Sequence, residues 1–63
     1  MPDHELVTIR DWGSPEYLDG AQMQYCIVIG EYPKGETVAY CDSLEVARVI
    51  ANALGNQVII QTE

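Results

Sequence analysis

Between Gln22 and Tyr32 the side chains alternate with a period of two, and this stretch limits the possible folds more than any other. Met23, Tyr25, Ile27 and Ile29 fall on one side of an extended segment, and Gln24, Cys26, Val28 and Gly30 on the other. Tyr32-Pro33-Lys34-Gly35 follows, with proline at the second turn position and a glycine that tolerates positive φ; this predicts a type I turn with a bulge. Glu36 to Cys41 (ETVAYC) is then the returning strand of a hairpin. Pairing Tyr32 with Glu36 sets Gly30 opposite Val38, Val28 opposite Tyr40, Ile29 opposite Ala39 and Ile27 opposite Cys41. In that register Cys26 and Cys41 point to opposite faces, which disfavours a disulfide between them.

The chain has 63 residues, enough for one small domain over 1–63. Its two cysteines show no CxxC or other metal-ligand spacing, so they read as buried thiols acting as small hydrophobes in a reducing, cytoplasmic setting. Met1 to Glu5 is polar and reads as a frayed tail. Leu6 to Trp12 (LVTIRDW) reads as a strand. Gly13 to Gly20 reads as a surface loop in which Tyr17-Leu18 drops one side chain onto the core. Asp42 is placed to cap a helix over Ser43 to Leu54, with Glu45 reaching back, and Gly55 follows as the residue that ends it. Val58 to Thr62 is a last strand. The expectation is an α+β fold in the order β-β-β-α-β, a mostly antiparallel four-stranded sheet with one helix packed on one face. No apolar run approaches the roughly 18 residues of a membrane span, and no signal-peptide pattern opens the chain.

The helix is more apolar than a single sheet contact requires. At about 100° per residue its apolar arc covers roughly 220°. Leu44, Ala47, Ile50, Ala51 and Leu54 suffice for a core, leaving Val46, Val49 and Ala53 along a flank. Tyr32, Val38 and Tyr40 form a second surplus surface on the hairpin. Lys plus Arg is 3 against Asp plus Glu at 10, a formal net charge of -7, which argues against direct binding to a nucleic-acid backbone. An acidic domain is instead steered toward a basic surface of another protein, such as a groove that holds nucleic acid. Tyr32, Tyr40, Val46 and Val49 are the candidate apolar contacts; Glu16, Asp19, Glu31 and Glu36 are the candidate electrostatic ones. The alternative is a homodimeric assembly module, built on the helix flank or an exposed strand edge, whose acidity only keeps it soluble.

Catalysis is not expected. His4 is the sole histidine, neither cysteine has a histidine near it in sequence, and Gly30, Gly35 and Gly55 are accounted for by turn or cap geometry. No cofactor or metal is expected. If Met1 is removed, His4 becomes the third residue and a square-planar nitrogen site for Cu(II) or Ni(II) is conceivable. A tail histidine without a role is the simpler reading.

The stretch from Tyr25 to Leu54 (YCIVIGEYPKGETVAYCDSLEVARVIANAL) is similar to the hairpin-then-helix unit of many short bacterial and phage proteins. It also resembles the N-terminal part of HicB-type antitoxins, departing from them by closing on a strand without a DNA-binding extension. In size, charge and architecture the chain resembles phage-encoded counter-defence proteins, anti-CRISPR inhibitors included. That resemblance implies a protein that works by occupying another protein.

Overall fold

A computed structural model describes residues 3–62. Along the chain lie β1 (His4–Leu18), β2 (Ala21–Ile29), β3 (Glu36–Cys41), α1 (Leu44–Leu54) and β4 (Gly55–Thr62). They build the expected α+β arrangement, a four-stranded sheet in the order β3-β2-β1-β4 with one helix. The sheet is mixed, however, and not mostly antiparallel. β2 is antiparallel to both β1 and β3, whereas β4 runs parallel to β1. The cause is the helix. β3 and β4 occupy opposite edges, and α1 carries the chain back along the sheet between them, so β4 starts from the end at which β3 began. β1 already owns the free edge of β2, and β4 adds outside it.

The core lies between the helix and one sheet face. Val7, Ile9, Ile27, Cys41, Ala47 and Ala51 form its buried centre. Tyr25, Ile29, Ala39, Leu44, Ile50, Leu54 and Val58 pack around it. The helix faces fall as the 3.6-residue period places them: Ala47 and Ala51 are fully buried, and Val46, Val49 and Ala53 are exposed.

Several local expectations are corrected. His4 and Glu5, expected to be part of a frayed tail, belong to β1, with His4 paired to Gly55. Met1, Pro2 and Glu63 lie outside the described residues. The stretch expected to be a loop from Gly13 is the continuation of β1, with an irregularity in its pairing to β2 between Asp11 and Glu16. Gly13 sits there at φ +83, and the Asp11 carboxylate accepts hydrogen bonds from the Gly13 N–H at 2.8 Å and from Gln24 Nε2 at 3.0 Å. Only Asp19-Gly20 turns the chain, and Tyr17 is 74% exposed rather than dropped onto the core. The β2–β3 connection is the longer Gly30–Gly35 loop, in which the Tyr32–Pro33 peptide is cis. The pairing accordingly slips by two, to Ile27 with Ala39 and Tyr25 with Cys41, and Val38 is left unpaired as a bulge. From Tyr25 to Ile27 the slip of two keeps side chains on their expected faces, whereas beyond the bulge Thr37 pairs with Val28 and Glu36 with Ile29, a slip of three that moves both to the opposite face. The helix is capped by Ser43, without a side-chain hydrogen bond, and not by Asp42.

Candidate functional site

The sheet face turned away from the helix carries Thr8, Arg10 and Trp12 from β1, Cys26 and Val28 from β2, and Tyr40 from β3. No helix covers it, yet Thr8, Cys26 and Val28 are buried. Large neighbours and a loop cover them. The Trp12 and Tyr40 rings lie with centroids 5.9 Å apart at 48°. The Arg10 guanidinium sits 4.4 Å from the centroid of the Tyr32 ring, a cation–π contact. The Gly30–Gly35 loop folds onto the same face. Thr8 Oγ1 donates to the Gly30 carbonyl at 2.7 Å, the Gly30 N–H donates to the Leu6 carbonyl at 2.8 Å, and Gly35 lies against Val28.

The outcome is a small platform of Trp12, Tyr32, Tyr40 and Arg10 over a dry floor. Tyr40 is 51% exposed, whereas Trp12, Tyr32 and Arg10 are half-buried. Arg10 Nε is buried with no hydrogen-bond acceptor among the described residues. Trp, Tyr and Arg are the side chains that most often carry the binding energy of protein interfaces, because they bury much area with few lost rotamers and still offer donors.

Of the residues singled out from sequence, Tyr32 and Tyr40 meet on this face. The others do not gather with them. Glu31 lies in the same loop as Tyr32, and Glu36 opens β3 where the loop ends, paired with Ile29. Glu16 pairs with Met23, about 10 Å along β2 from the row of Cys26 and Tyr40, and Asp19 lies in the turn beyond Ala21, about 17 Å or more from that row. Val46 and Val49 project from the helix, on the opposite side of the sheet. Arg10 and Trp12 were not singled out. Their signal was the same alternation that marks β2, since Thr8, Arg10 and Trp12 stand two apart in a strand already recognised.

Chemistry at the thiols is suppressed. Cys26 and Cys41 are free, buried and on opposite faces. Burial pushes the Cys26 thiol up, opposed by the Arg10 charge and a Trp12 hydrogen bond; burial and then the neighbouring Asp42 push Cys41 up. Both therefore stay protonated at neutral pH and are poor nucleophiles. Hydrogen bonds from Gln24 and then Gly13 hold the Asp11 carboxyl below its ordinary value, so it remains an anchor and is no proton donor. An open cleft of about 410 Å³ lies among Pro15, Ala21, Gln22, Met23, Gln24 and Asp42, with a single carboxylate and no nucleophile. No group of three or more His, Cys, Asp or Glu suited to a metal occurs among the described residues, and no helix there is long and apolar enough to cross a membrane. No family model, curated protein or solved structure matches this chain.

Proposed function

We propose that this protein is a non-catalytic binding module that seats its open sheet face on another protein with a basic surface and so occupies that surface, as an inhibitor of a nucleic-acid-binding groove would. The observation that carries the reading is the Trp12–Tyr40–Tyr32–Arg10 platform, in a chain of net charge -7. The aromatic and guanidinium groups supply short-range contact. Glu31 and Glu36 at the two sides of the Gly30–Gly35 loop, and the charge of the whole chain, supply attraction at longer range. Val46 and Val49 lie on the other side of the sheet and fall outside a footprint centred on the platform, whereas Glu16, paired with Met23, and the Asp19 turn beyond it lie along β2 from the platform.

The test compares partners captured by the wild type, by Tyr40→Ala and by the double variant Glu31→Gln/Glu36→Gln, each confirmed folded by circular dichroism. A genuine partner is basic, is recovered by the wild type, and loses at least about 2 kcal/mol of affinity, roughly thirtyfold, with Tyr40→Ala. The Glu31→Gln/Glu36→Gln variant slows association and flattens its salt dependence. Equal recovery by the wild type and Tyr40→Ala would remove the open face from the contact. Binding that strengthens with salt would remove the electrostatic part.

A further inference from the structure

We propose that β4 is a self-complementary edge strand, through which two copies of this chain pair antiparallel about a two-fold axis at Ile59 to make one continuous eight-stranded sheet. This goes beyond the open-face reading and uses the backbone edge of the sheet, although Ile59, paired with Thr8, projects on the open face. β4 lies at the edge of the sheet, with β1 on one side and, among the described residues, no strand on the other. Its pairing to β1 shows no bulge, and it contains no proline and no charged side chain. Edge strands are normally guarded by such devices. The opposite edge has them: β3 is shorter, opens on Glu36 and is broken by the Val38 bulge.

The charge pattern points to the occupant. Two copies at -7 each repel wherever their carboxylates meet. Charge-free stretches occur at Gly20 to Gly30 and at Val49 to Thr62. The first is the interior strand β2, paired on both sides. The second ends in β4, which has the composition of an interior strand in an edge position. Its sequence also reads nearly the same in both directions about Ile59. Antiparallel pairing there sets Ile59 against its own counterpart, Val58 against Ile60, Gln57 against Gln61 and Asn56 against Thr62. Every pair matches apolar with apolar or amide with a polar group, on the same face. Ile59 on the open face and Ile60 on the helix-side face, 36% and 43% exposed, would each gain an apolar cross-strand neighbour. Such an interface is isologous and closed, so it stops at two copies.

Sedimentation of the wild type at high micromolar concentration should give twice the 7.0 kDa of one chain. Ile59→Lys and Ile59→Glu each set like charges against each other at the axis and should raise the dimer dissociation constant more than tenfold. An equimolar mixture of the two should restore the doubled mass, because lysine then meets glutamate. As a milder substitution, Ile59→Cys should be linked between copies by a short bismaleimide. Thr62→Cys should not, its counterpart being displaced by about 20 Å along the pair. A wild type that stays monomeric overturns the proposal. So do charged variants that dimerise like the wild type, a mixture no more dimeric than its parts, or equal linking at both cysteine positions. None of these results bears on binding through Trp12 and Tyr40.

Discussion

Gly55 illustrates how a residue's identity is legible while its reason is not. In sequence it reads as the left-handed residue that ends a helix. In the structure its φ is -122 and ψ 150, extended backbone that any residue adopts. What the position forbids is a side chain: a Cβ there would lie 2.5 Å from Val7 Cγ2 and 3.0 Å from Val7 Cβ. The helix passes into β4 without a loop, and the junction rests directly on β1. Gly55→Ala should therefore cost about 1–3 kcal/mol through overpacking, read from urea melts. Combined with Val7→Ala, which removes the colliding methyl, it should cost clearly less than the sum of the two single changes. Strict additivity would show that the steric account is wrong. No local pattern announces this contact, because its partner lies near the far end of the chain. The cysteines are the converse case. Their placement on opposite faces follows from strand parity, and parity survives the two-residue slip in pairing.

Among the elements, the helix was the most legible. Its 3.6-residue period identified both the residues against the sheet and the exposed flank, since burial of one stripe is what makes an amphipathic helix stable. Thermal melts should reflect that division. Ala51→Leu, at a position with no free space, should destabilise by about 1–3 kcal/mol, whereas Val49→Ala should stay within about 0.5 kcal/mol of the wild type. A large loss at Val49 would mean that the flank is already covered by something. The sequence ends β1 at Trp12, because Gly13, Ser14 and Pro15 are punctuation in most chains. Here an irregular stretch of the ladder absorbs them and the Asp11 carboxylate takes over the Gly13 N–H that the ladder leaves free. The direction of β4 was not legible at all. Strand patterning sets which side chains face inward; the crossover sets which way the strand runs.

Over the whole molecule, acidity and surplus apolar surface were both legible, but not their distribution. Within extents of 33 × 20 × 17 Å the aromatic platform sits on the open face, acidic residues lie toward both ends of β2, and the helix flank lies on the other side. A list of exposed residues taken from sequence merges them, because distance across a sheet is set by strand order and not by separation along the chain. The region that sequence reasoning left out, Arg10 and Trp12, becomes a site only when β1 is placed next to β2.

That strand order has one more outcome. Lys34 is the sole lysine, exposed in the Gly30–Gly35 loop, so a lysine-specific protease has one place to cut. The cut divides the chain into a piece with β1 and β2 and a piece with β3, α1 and β4. The second piece grips the first on both flanks, β3 along β2 and β4 along β1, with the helix lying across. The nicked protein should keep its circular dichroism spectrum and sediment as before, and after urea its recovery should slow on dilution as a bimolecular reaction does. Fragments that drift apart in native buffer would contradict this. If they hold, the halves can be made separately and will report, by reassembling, whenever two other molecules bring them together.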